Sequence, residues 1–150
     1  MDRKSLAMDV FDAGLNCCEA VFSALTAERG LDEAAAIRIG AAFGGGMARQ
    51  GLTCGAVTGA YMAFGWVLGP ESPAQKGKLS DVYTLCTEFS RRFTRDRGSL
   101  SCRELLGIDL GTPEGQAAFK ERGLKASVCA PCVARAVEIG AELRGKAAEA

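Results

Sequence analysis

The sequence predicts an all-α fold: a single domain over residues 1–150, built as an irregular helical bundle with a buried Gly/Ala-rich central helix. Three observations lead there. Apolar residues recur at i, i+3 and i+4 through most of the chain, whereas alternation at period two is nearly missing. Glycines, prolines and cap-forming residues punctuate the chain at helix-length intervals. A chain of 150 residues is also long enough to bury a core of its own.

The elements follow in order. A first helix is expected over Lys4 to Ala13, stopped at Gly14, and a second over Cys17 to Arg29, stopped at Gly30. Val21, Phe22 and Leu25 share the apolar side of the second. Asp32 caps a third, Glu33 to Phe43, which the triplet Gly44-Gly45-Gly46 terminates. The fourth begins at Cys54 and ends near Leu68, before Gly69-Pro70. Ser80 opens a fifth to Arg97, with Val82, Cys86, Phe89 and Phe93 on one face. A short helical turn follows Cys102, Thr112-Pro113 begins another through Glu121, and the last runs from Ala130 to Ala148.

Gln50 to Pro70 carries no charge and approaches the length of a bilayer span. It starts inside a glycine-rich loop, however, and lacks a flanking basic bias. Its small residues at i, i+4 (Gly55/Gly59, Ala56/Ala60) let helix backbones approach closely. A buried central helix is therefore expected, with no membrane attachment. The N-terminal stretch has charges but no apolar signal core, so a cytoplasmic location is expected.

Lys plus Arg balances Asp plus Glu at 18 each, which leaves no electrostatic footprint for nucleic acid. Histidine is absent, and with it Ser-His-Asp and Cys-His catalysis, His-ligated zinc and histidine-ligated haem. Seven cysteines remain as soft ligands and strong nucleophiles. Their odd number argues against a fully paired secreted scaffold, and in a reducing compartment cysteine clusters serve metal or redox chemistry.

The residues ahead of four cysteines read as helix caps. Asn16 with Glu19 and Ser101 with Glu104 match the capping box, Thr53 precedes Cys54, and Ser127 and Pro131 flank Cys129. Cys17, Cys54, Cys102 and Cys129 are thus expected in the first turns of four helices. Free amides and the helix dipole there favour a thiolate or an anionic metal–thiolate cluster. Arg49 lies five residues before Cys54, where a guanidinium would lower a thiol's pKa. The arginines of the fifth helix read as a solvated face. Cys86 reads as core, and Cys18 points about 100° around the helix from Cys17. The CxxC at Cys129 and Cys132 lacks a βαβ setting and stands only as an option for a reversible disulfide.

The ordered pattern resembles the C_GCAxxG_C_C family, described as redox-active and named for four spaced cysteines. It is carried by Asn16-Cys17, by FGGGMARQGLTCGAVTGA from Phe43 to Ala60, by Cys102-Arg103-Glu104-Leu105-Leu106-Gly107, and by Cys129 followed by Val133. The signature itself is Cys54-Gly55-Ala56-Val57-Thr58-Gly59. The resemblance implies that Cys17, Cys54, Cys102 and Cys129 are the family's four cysteines, and leaves Cys18, Cys86 and Cys132 outside the pattern. It also implies likeness to the iron–sulfur part of split-Soret cytochromes, without haem here, since CxxCH and histidine are both missing.

Three readings follow. The first is an iron–sulfur cluster held by Cys17, Cys54, Cys102 and Cys129, for electron transfer or redox sensing. The second is a metal-free thiol–disulfide protein using the same cysteines, and the third a structural or zinc-binding module. Gly45, Gly46, Arg49, Gly55 and Gly59 are expected to line the cofactor. GGGMARQG fits neither GxGxxG nor a P-loop. The expected partner is a redox protein, and a homodimer is left open. Sulfurs gathered in one place favour a cluster or disulfides, whereas sulfurs spread across the domain exclude both.

Overall fold

The computed structural model describes residues 1–149. Among them the chain forms eight α-helices and no β-strand: α1 Arg3–Asp12, α2 Cys17–Thr26, α3 Glu33–Gly40, α4 Gly55–Leu68, α5 Gly77–Arg97, α6 Cys102–Leu106, α7 Pro113–Glu121 and α8 Ala130–Glu149. The fold is all-α, as the periodicity predicts.

Local chemistry sets most of the boundaries. Asp2 accepts from the amides of Lys4 and Ser5, so α1 begins one residue earlier than expected. At α2 the capping box is complete: Asn16 accepts from the Glu19 amide, and the Glu19 carboxylate accepts from the Asn16 amide at 2.6 Å. The helix stops at Thr26, short of the expected Arg29, and Glu28 takes a left-handed φ of 62°. Gly77 opens α5 three residues ahead of Ser80, and Gly98 closes it at φ 98°.

α2 runs through the middle of the molecule and packs against α1, α3, α4 and α8. Nine of its ten residues are buried, including Val21, Phe22 and Leu25. The expected central helix is α4, which shares that role with α2. A Cβ on Gly59 would stand 2.9 Å from the Cys18 carbonyl oxygen, so the two backbones cross with no side chain between them. On the other side of α2, Gly140 of α8 leaves room for Leu25, whose Cδ1 a Cβ would meet at 2.7 Å. Phe64, Phe89 and Phe93 stack and tilt against one another between α4 and α5. No helix among the described residues is long and apolar enough to cross a membrane.

Candidate functional site

Two chain segments far apart in sequence meet to seat the first pair of cysteines. The Cys54 amide donates to the Leu100 carbonyl at 2.8 Å, and the Cys102 amide donates to the Leu52 carbonyl at 2.7 Å. Thr53 and Ser101 form the isolated antiparallel bridge between these bonds. This patch sets Cys54 at the entry of α4 and Cys102 at the entry of α6, side by side. Cys54 is itself the N-cap residue, so the expected capping by Thr53 does not occur: its backbone is engaged in the bridge. Ser101 does cap α6 through the Glu104 amide, but Glu104 completes no box and bonds the Ser99 hydroxyl instead.

Behind this pair lies the glycine stretch. Gly45, Gly46, Met47, Ala48 and Arg49 have consecutive φ values of 65°, 66°, 63°, 52° and 64°, a left-handed turn in which three residues are not glycine. Each non-glycine residue in that region costs about 1–2 kcal/mol. Bonds from the Ala48 amide to the Ala42 carbonyl and from the Leu52 amide to the Gly46 carbonyl fasten the turn at both ends. The expected helix stop is therefore also a coil of opposite hand. It brings Gly46 so close to Cys102 that a Cβ would stand 2.6 Å from the Cys102 Cβ.

The other pair of cysteines comes from α2 and α8. Cys17 opens α2 behind its capping box, and Gly55 of α4 leaves space for it, with only 3.2 Å between a Cβ there and the Cys17 Cβ. Cys129 is not in a first turn, against expectation. The helical run starts earlier, with the Ser127 amide bonded to the Gly123 carbonyl, and passes through a π-turn over Lys125–Cys129 before α8. Ser127 therefore caps nothing, and the free-amide argument fails for Cys129. Cys132 follows one turn on, 1% exposed.

Cys17, Cys54, Cys102, Cys129 and Cys132 all line one cavity of about 1060 Å³. All seven cysteines are free thiols. Inside the cavity the largest mutual shifts run between Cys17 and Cys129 and between Cys54 and Cys132. Cys129 first, then burial and the charges of Cys54 and Cys132, push the Cys17 thiol well up. Cys17 in turn draws Cys129 down, against its burial. Cys132 first, and then burial, likewise push the Cys54 thiol well up. Cys132 is drawn down to about 7 by the Cys54 contact first and then, against burial, by the Arg97 guanidinium. Cys102 has no thiol partner of this kind, and burial pushes it up to about 11. At Cys17, Cys54 and Cys102 neighbouring sulfurs and burial raise the thiols where a lowering was expected, and at Cys54 the Ala56 amide acts in the other direction.

Of the residues expected around a cofactor, Gly45, Gly46, Arg49 and Gly55 line the cavity with the cysteines. Gly59 lies elsewhere, in the α2–α4 contact against Cys18 and Val21. Cys18 is buried beside Met62, 3.6 Å between sulfurs, and Cys86 packs half-buried against the core. Sequence reasoning holds Cys132 only as an option through its CxxC with Cys129, and reads Arg97 as part of a solvated face. For Cys132 the CxxC spacing was the available signal. For Arg97 there was none, since in sequence it resembles its neighbours Arg91, Arg92 and Arg95, which do form surface ion pairs with Glu88 and Asp96. Arg97 instead turns inward, its Nε buried without a hydrogen-bond partner.

The donor set suits a soft metal or an iron–sulfur cluster, since every candidate ligand is a thiol. Among the described residues, no three Cys, Asp or Glu side chains close on a single ion position.

An all-helical domain that gathers five thiols on one cavity defines a cysteine-centred protein. The chain belongs to the family described as "Putative redox-active protein (C_GCAxxG_C_C)", whose model matches residues 15–143. No curated protein matches it. No solved structure matches it either.

Proposed function

We propose that this is a thiol–disulfide redox protein that works through two dithiols, Cys17 with Cys129 and Cys54 with Cys132. The observation that carries this reading is the single cavity on which Cys17, Cys54, Cys129 and Cys132 gather as free thiols; their opposed shifts, Cys17 and Cys54 upward and Cys129 and Cys132 downward, sort them into the two pairs. That asymmetry is what exchange requires. The thiolate attacks a disulfide, and its protonated neighbour then resolves the mixed disulfide. Cys17 and Cys129 are partly exposed, whereas Cys54 and Cys132 are 6% and 1% exposed, which makes the first the outer dithiol and the second the inner one. A redox protein of the same cell would return the electrons. The test is to oxidise the anaerobically purified chain, count thiols and weigh the products before and after reductant. Reversible loss of four thiols, with two hydrogens lost per disulfide, supports the reading. Thiols that stay free under mild oxidants sink it.

The alternative reading, an iron–sulfur cluster on Cys17, Cys54, Cys102 and Cys129, draws support from the convergence of these four thiols beside the glycine turn. A cluster bound there would supply one-electron chemistry, while the chain's part would be to exclude water and present its backbone to the sulfurs. Anaerobic reconstitution with iron and sulfide, read by visible absorption and EPR, separates the readings. A colourless protein without iron removes this one.

A further inference from the structure

The cavity is much larger than two dithiols need, and its lining is one-signed. Arg49, Lys120 and Lys125 line it and no carboxylate does, in a chain whose charges balance at 18 of each sign. Arg49 and Lys120 are exposed, and none of the three forms a salt bridge among the described residues. Lys125 is held in place: its Nζ donates to the Phe11 carbonyl at 3.0 Å and stands 4.6 Å from the Phe11 ring centroid, on the π-turn that ends at Cys129. Phe11, Leu105, Leu110 and Phe119 supply apolar wall between these cations. A cleft with charge of one sign on low-dielectric walls concentrates ligands of the opposite sign. Its volume of about 1060 Å³ is that of a small-molecule site, and its deepest thiols are reachable only by something that enters.

We propose that the cavity admits an anionic low-molecular-weight disulfide, with its acidic groups on Arg49, Lys120 and Lys125 and its sulfur–sulfur bond at Cys129. This rests on the thiol–disulfide reading. The Cys129 thiolate attacks one substrate sulfur, a Cys129–substrate bond forms, the substrate's own S–S bond breaks, and the other half leaves as a thiolate. Cys17 gives up its proton and attacks Cys129 Sγ. The Cys17–Cys129 disulfide forms, and the remaining half leaves as a thiolate that takes up a proton. The substrate gains two electrons and the protein loses two.

The test uses the full, reduced chain and three probes: glutathione disulfide as the anion, bis(2-hydroxyethyl) disulfide as the neutral compound and cystamine as the dication. Protein disulfide is quantified by acid quench, alkylation and mass spectrometry. Each rate is divided by that of the same probe with free dithiothreitol. The anion is expected to lead the neutral probe by about tenfold or more, with the dication last. The lead should shrink in about 1 M salt, where the screening length is about 3 Å. Lys120→Glu, on an exposed helix face, should cut the lead severalfold, and Arg49→Glu provides a further variant. Equal normalised rates for all three probes overturn this inference and leave the thiol chemistry standing. No protein disulfide with any probe overturns the thiol–disulfide reading and this inference with it.

Discussion

Gly46 and Cys102 lie so close that a Cβ on the glycine would stand 2.6 Å from the Cβ of the cysteine. The same Cβ would meet the Leu52 amide nitrogen at 2.7 Å and its carbonyl oxygen at 2.8 Å. The glycine turn is thus the back wall of the Thr53–Ser101 bridge that seats Cys54 and Cys102. Gly46→Ala should push that wall forward and lose the bond from the Cys102 amide to the Leu52 carbonyl. Overpacking of this kind costs about 1–3 kcal/mol, and the left-handed φ of 66° adds strain. A melting temperature lower by several degrees is expected, and an unchanged one contradicts the placement of the turn.

The two dithiols make a prediction that does not depend on the substrate. Cys132→Ser should leave the Cys17–Cys129 disulfide able to form while Cys54 stays reduced. Cys17→Ser should do the converse and spare the inner pair. Peptide mapping of the oxidised variants reads this directly. Because Cys129 and Cys132 are close in sequence, the variants and not the wild-type map decide the pairing.

The thiolate at Cys132 has two supports of unequal size, the Cys54 contact and then Arg97. Its ionisation at about 7 should therefore move upward in both Arg97→Gln and Cys54→Ala, and further in the latter. The pH dependence of Cys132 alkylation, followed by mass spectrometry of the intact reduced chain, measures each midpoint. Midpoints that stay near 7 in both variants would remove Arg97 and Cys54 from this role.

Burial raises Cys18 and Cys102 each to about 11, from an ordinary value of 9.0. Their neutral forms thus stabilise the fold fully below about pH 9. That contribution is lost as pH rises from 9 through 11, where the unfolded chain releases its protons first. Cys132, drawn down to about 7, has the opposite sign: its contribution is present above pH 9 and fades as pH falls through 7. Under reducing conditions the melting temperature should therefore fall between pH 9 and 11. Cys18→Ala should flatten that fall, because a two-unit shift is worth up to about 3 kcal/mol at the alkaline end.

How much of this was legible depended on which interactions are local. Helical periodicity and side-chain caps act within four residues, so α1 to α8 could be read in order, and Cys17 and Cys102 were placed correctly at helix starts. Cys129 was misplaced because a π-turn leaves no propensity signature, and Ser127, two residues ahead of it, has the chemistry of a cap. Met47, Ala48 and Arg49 are ordinary L-residues that favour the right-handed region, and bonds from their amides to the Phe43, Ala42 and Gly44 carbonyls hold all three in the other hand. Cys132 was judged by its neighbour Cys129, whereas the thiol that shifts it most is Cys54, at the entry of another helix. Arg97 likewise differs from Arg91 and Arg95 only in which way the end of α5 faces.

The π-turn before α8 carries one residue more than a regular turn would, and one residue is about 100° of rotation and 1.5 Å of rise. It acts as a phase offset between two parts of a single helical rod. Downstream, the phase is locked by Val133, Ala136 and Val137 in the core, which turns Cys132 inward. Upstream, the phase is that of Lys125, seated over Phe11. Were the same residues to wind as a plain α-helix with Cys132 still in register, the lysine would swing about a quarter of a turn away from the cavity. The extra residue of the π-turn is thus what keeps the sulfur chemistry and the charge that serves it on one side of the rod.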